Sequence, residues 1–277
     1  MQICPVGMEI TMLRDITLGQ YYQTDSLIHR LDPRVKLAGT LLYIISLFFF
    51  QNVAAYLIAI LFLAIVIRLS HVPFRYMVKG MKAIVFLLLI TVAFNLFLTP
   101  GEVLVSIWKL NITKEGLFTA GTMAVRLIIL IIGSSVMTLT TTPNQLTDGM
   151  EKGMRPLKVF HVPVHEVAMM MSIALRFIPI LMEETDKIMK AQIARGADFE
   201  SGNLIRRAKA MVPLLVPLFI SAFRRANDLA MAMEARCYRG GEGRTKMKPL
   251  IYQKRDRIAY CCIVVYLVTS IGVGRVV

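Results

Sequence analysis

Two arginines occupy nearly the same local sequence 41 residues apart. Residues 191–196 read Ala-Gln-Ile-Ala-Arg-Gly and residues 232–240 read Ala-Met-Glu-Ala-Arg-Cys-Tyr-Arg-Gly. Arg195 thus lies between Ala194 and Gly196, and Arg236 between Ala235 and Cys237. Small neighbours leave a guanidinium open to bidentate pairing with a carboxylate on another molecule. Helix C-capping would also place a basic residue before a glycine, and composition alone does not choose between the two.

Other side chains capable of chemistry do not assemble into a catalytic pattern. Residues 241–246, Gly-Glu-Gly-Arg-Thr-Lys, lack the spacing and the preceding strand of a phosphate-cradling loop, so the chain is not expected to hydrolyse ATP. His161 and His165 flank Val-Pro-Val; Pro163 argues against a regular helix there and no third ligand is evident, so they read as a loop pair rather than a metal site. Cys4, Cys237, Cys261 and Cys262 show no paired spacing and read as free thiols. No cofactor or metal is expected on this chain. Met169, Met170 and Met171 offer adaptable contact surface or simply fill a membrane core.

The elements that must position the arginines follow from hydropathy and charge. The 277 residues are 56% hydrophobic yet carry a net charge of +14, which suits a bilayer with its basic groups gathered on one side. Apolar runs at 35–51, 53–69, 83–99, 117–141 and 258–274 predict about five spans. The loop after the second run holds Arg68, Arg75, Lys79 and Lys82 with no acid, and 143–257 holds 20 of the 32 Lys and Arg. The positive-inside rule then places the N-terminus in the cytoplasm and the C-terminus outside. Arg126, inside the fourth run, either meets a polar group on a neighbouring helix or has a transport role.

Two semi-apolar segments, 165–182 and 210–223, are not read as spans. The first carries Arg176 and Pro179, the second Pro213 and Pro217, and inserting the first would export the basic stretch 183–209. Their flanks have helical periodicity, which predicts two long amphipathic helices partly sunk in the interface. The expected architecture is an all-α integral membrane protein. It has an N-terminal cytoplasmic segment (1–34), four transmembrane helices (35–142), cytoplasmic coupling helices (143–256) and a last transmembrane helix (257–277). The basic residues adjoin spans and lack interleaved aromatics, so nucleic acid is not an expected partner.

Residues 19–37, Gly-Gln-Tyr-Tyr-Gln-Thr-Asp-Ser-Leu-Ile-His-Arg-Leu-Asp-Pro-Arg-Val-Lys-Leu, resemble the opening sequence of the energy-coupling factor (ECF) transporter T component. Together with the two Ala-Arg motifs and the pattern of runs, the resemblance extends from about residue 12 to the end, which leaves Met8 or Met12 as an expected start. It implies a coupling subunit of an importer for vitamins or metals in the plasma membrane. Such a subunit joins two cytoplasmic ABC ATPases, which would hold ATP and Mg, to a small membrane S component that binds the substrate. Arg195 and Arg236 would engage acidic grooves on the ATPases; Cys237 departs from the usual second glycine, leaving the local backbone open to question. The apolar faces at Met169, Met170, Met171 and Phe177 and at Leu214, Leu218 and Phe223 are the expected S-component contacts. A conventional ABC permease with its own substrate path is the competing reading, and it would need more polar groups along the spans.

Overall fold

A computed structural model describes residues 21–50, 52–81, 84–100, 102–107, 110–197, 199, 203–241 and 250–276. Gly19 and Gln20 of the opening sequence, Lys82, and 242–246 of the Gly-Glu-Gly-Arg-Thr-Lys stretch lie outside the described residues. The chain divides into two compact units.

In one unit, α1 (Pro33–Phe49), α2 (Val53–Ser70), α3 (Phe74–Met81), α4 (Val85–Leu98), α5 (Lys114–Thr140), α6 (Pro143–Gly153) and α9 (Lys254–Val276) pack together. The core runs through Tyr43, Leu47, Tyr56, Ala59, Leu63, Ile132, Val136 and Tyr266. Gly133 of α5 lies so near Tyr43 of α1 that a Cβ would come within 2.9 Å of the ring, so only glycine allows this approach. Outward-facing side chains such as Phe49, Leu61, Phe86 and Val268 are exposed, and a lipid environment removes the cost of that exposure.

By length and composition α2, α5, α7 and α9 could each cross a membrane. The run 83–99 yields only the 14 residues of α4, about 21 Å of helix. Between α4 and α5 a small antiparallel hairpin, β1 (Val103–Ile107) and β2 (Leu110–Thr113), is the one strand pair among the described residues, whose other regular elements are helices. Thr113 ends the hairpin and caps α5 by accepting from Gly116 N–H. The stretch 143–153, expected with the coupling helices, forms α6 and packs on α1, with Gly149 against Pro33. Arg126 donates from Nε to the Tyr56 hydroxyl at 2.8 Å and from Nη2 to the Phe50 carbonyl at 3.3 Å. It therefore satisfies the C-terminal end of α1 and meets a polar group of α2.

The other unit is built on α7 (Val164–Ala194) and α8 (Leu204–Ala235), with a 3-10 stretch at Arg155–Phe160. Both helices run unbroken through internal prolines, Pro179 in α7 and Pro213 and Pro217 in α8. His161 occupies a left-handed turn before α7 and His165 its first turn, so the two histidines do not share a helix.

Candidate functional site

The two Ala-Arg motifs end their helices with one and the same geometry. At the end of α7, Gly196 takes φ +85°, Ala197 N–H donates to Gln192 C=O at 3.0 Å and Gly196 N–H to Ile193 C=O at 2.9 Å. At the end of α8, Cys237 takes φ +54°, Tyr238 N–H donates to Met233 C=O at 3.0 Å and Cys237 N–H to Glu234 C=O at 2.8 Å. Both are Schellman closures, in which backbone amides satisfy the last carbonyls. Cys237 therefore adopts the left-handed conformation that glycine provides at the first motif, at a cost of about 1 kcal/mol.

Since the backbone closes each helix, the arginine side chains are not needed for capping. Arg195 and Arg236 are both exposed. Among the described residues neither guanidinium has a hydrogen bond or ion pair. Among the described residues each motif thus presents an unpaired planar donor at a helix tip closed by backbone hydrogen bonds.

The placement of the tips is set by pairing between the helices. Glu184 of α7 accepts from the Ser221 hydroxyl and from Arg225 Nη2 at 3.1 Å on α8. Eight residues further along α7, Gln192 Nε2 donates to Pro213 C=O at 3.5 Å, eight residues earlier on α8 than Ser221. The helices are antiparallel, and Gly241 beyond α8 packs directly on the His165 ring at the start of α7. Because Gln192 lies beside the Pro213 level, with Arg195 three residues beyond it and Arg236 23 residues the other way along α8, the two tips are about 40 Å apart at opposite ends of the pair.

The apolar residues named from the sequence on α7 and α8 differ in exposure. Met170, Met171 and Phe223 are exposed, Met169, Phe177 and Leu218 half-buried, and Leu214 buried. The open apolar stripe on α8 instead runs through Met211, Leu215, Phe219 and Phe223, one turn apart, with the two phenyl rings 4.8 Å apart.

Comparison with known proteins decides the family. The CbiQ family, described as cobalt transport protein, matches residues 24–247. The energy-coupling factor transporter transmembrane protein EcfT of Clostridium kluyveri is 57% identical over 262 residues, 94% of this chain and 97% of that protein. The chain belongs to the energy-coupling factor transporter transmembrane protein family. The relative of the same name from Thermosediminibacter oceani is 53% identical over 90% of this chain and 94% of its own length, and that from Bacillus subtilis 48% over 88% and 93%.

In this family member the opening sequence acts as a structural clamp, a role that sequence reading did not assign. Asp32 caps α1 by accepting from Arg34 N–H, and Pro33 fills the first helical position. Lys36, buried, donates to His29 C=O at 3.2 Å and Thr140 C=O at 2.8 Å, tying α1 to the end of α5. His29 joins Ser26 through Nδ1 and Tyr22 C=O through Nε2. Burial, with the Lys36 charge nearby, lowers its pKa and favours neutral imidazole. From the far end of the chain, Asp256 accepts from Asp32 N–H at 2.9 Å and Gln253 N–H at 2.7 Å, while Arg34 donates to Leu250 C=O and stacks on Tyr252. The segment leading into α9 is thereby fastened to the segment leading into α1.

Proposed function

We propose that the chain is the membrane coupling subunit of an ECF-type importer for a vitamin or other micronutrient. On this reading Arg195 and Arg236 dock into acidic grooves of two cytoplasmic ATPase subunits, and the subunit performs no chemistry itself; ATP and Mg belong to the ATPases. The observation that carries the reading is the pair of matched arginine tips, unpartnered among the described residues and about 40 Å apart on one interlocked helix pair, a spacing that suits two separate protein subunits. When nucleotide binding draws the ATPases together, a helix end held by each must follow, and the pair α7 and α8 changes its geometry. The apolar stripe at Met211, Leu215, Phe219 and Phe223, with Met170 and Met171, passes that change to a small substrate-binding membrane subunit. The N-terminus is cytoplasmic and the C-terminus external by the charge distribution.

Removal of one partner of a desolvated charge pair costs about 2 to 5 kcal/mol, so Arg195→Ala or Arg236→Ala should weaken ATPase association roughly 30-fold or more. Uptake should fail while membrane insertion is retained. Pull-down of the two ATPases from mild detergent with each variant, beside uptake assays, is the test. Normal assembly and uptake with both arginines replaced would remove the proposal.

A further inference from the structure

A cavity of about 380 Å³ lies within the body formed by α1, α2, α5 and α9, in the size range of ligand pockets. Its walls come from the start of α1, the end of α2, the end of α5 and the start of α9, so it sits at one end of the bundle. From Arg255 at its mouth to Ile263 it follows eight residues of α9, about 12 Å. Tyr43, Phe62, Val66 and Ile263 make the depth apolar. Leu27, Ile65 and Ile258, which also line it, are exposed on the outer surface.

The charged side chains lining it are both basic. Lys36 uses two of its three protons on the carbonyls of His29 and Thr140, leaving one. Arg255 Nε is buried and has no hydrogen-bond partner among the described residues, a state that is costly unless something supplies an acceptor. The combination calls for a ligand with a long apolar part and an anionic head, reached from the lipid-facing surface. A trapped water would satisfy Arg255 and leave the apolar depth empty. A zwitterionic lipid would fill the depth and leave the net positive charge uncompensated.

We infer that this cavity binds an anionic phospholipid from the surrounding bilayer, with an acyl chain along α1 and α9 and the phosphate held by Arg255, since Lys36 is already engaged by two carbonyls. Full-length protein in mild detergent, given equal amounts of dioleoyl phosphatidylglycerol and dioleoyl phosphatidylcholine, can be read by native mass spectrometry. The expected result is retention of phosphatidylglycerol at about five-fold excess, the preference of one basic residue for an anionic lipid. That preference should disappear in Arg255→Gln, and both lipids should be lost in Ala259→Phe, whose ring occupies the cavity. Phosphatidylglycerol with a photoreactive acyl chain gives a second reading on unaltered protein, with labelling expected at residues 258–263 and 62–69. Equal retention of the two lipids, a preference that survives Arg255→Gln, or labelling confined to other segments would overturn the assignment.

Discussion

Gln192 donates its side-chain amide to the carbonyl of Pro213 across the gap between α7 and α8. That carbonyl needs an outside donor because Pro217, four residues on, has no N–H to offer it. A proline that would weaken an isolated helix thus creates the acceptor that registers α8 against its partner.

Replacing Gln192 by Leu should cost about 1 kcal/mol, the net value of one hydrogen bond. Glu184→Ala should cost more, because it releases both the Ser221 hydroxyl and Arg225; the ion pair itself is partly exposed and contributes little. Spin labels on the two helices should report a broader distance distribution in the Glu184→Ala and Gln192→Leu double variant. An unchanged distribution would show that packing alone sets the register.

The two helix ends make opposite predictions for substitutions at matched positions. Gly196→Val forces a β-branched residue into φ +85° and should destabilise the tip by about 1 to 2 kcal/mol. Cys237→Gly relieves φ +54° and should stabilise by up to about 1 kcal/mol. Thermal midpoints of the detergent-purified chain should move down for the first and up for the second. Movement in the same direction would contradict the shared closure.

Asp256 is 1% exposed and accepts from two backbone amides. Asp256→Ala orphans both, and hydrogen bonds to a charged acceptor contribute about 1.5 to 3 kcal/mol each. A lower thermal midpoint and greater proteolysis near residue 250 are expected, with Asp256→Asn intermediate. Protection equal to the unaltered chain would refute the clamp.

His29 couples the same clamp to pH. Its folded pKa lies below its ordinary value of 6.5 because burial disfavours the imidazolium. Between those two values the unfolded chain binds more protons, so stability rises with pH. The contribution is complete above about pH 6.5 and is lost as pH falls through the folded pKa. The thermal midpoint should drop on acidification from pH 7 to 5, and His29→Asn should flatten that part of the profile; parallel profiles would sink the assignment.

Hydropathy and charge by themselves determined that the chain is a helical membrane protein with a basic region after residue 142. They also determined that Arg195 and Arg236 are a matched pair, because apolar runs, lysine distribution and short motifs are local properties. The small hairpin after α4 was missed because its strands are brief and lie in a connector. What depended on distant segments had no local signal. Nothing near Asp256 announces Asp32, 224 residues away, and nothing near Pro213 announces Gln192. Cys237 could not be seen to adopt glycine's conformation until the closing bonds to Met233 and Glu234 were located. The separation of the two arginines was likewise decided by tertiary structure, since sequence spacing fixes helix lengths but only the antiparallel register puts the tips at opposite ends.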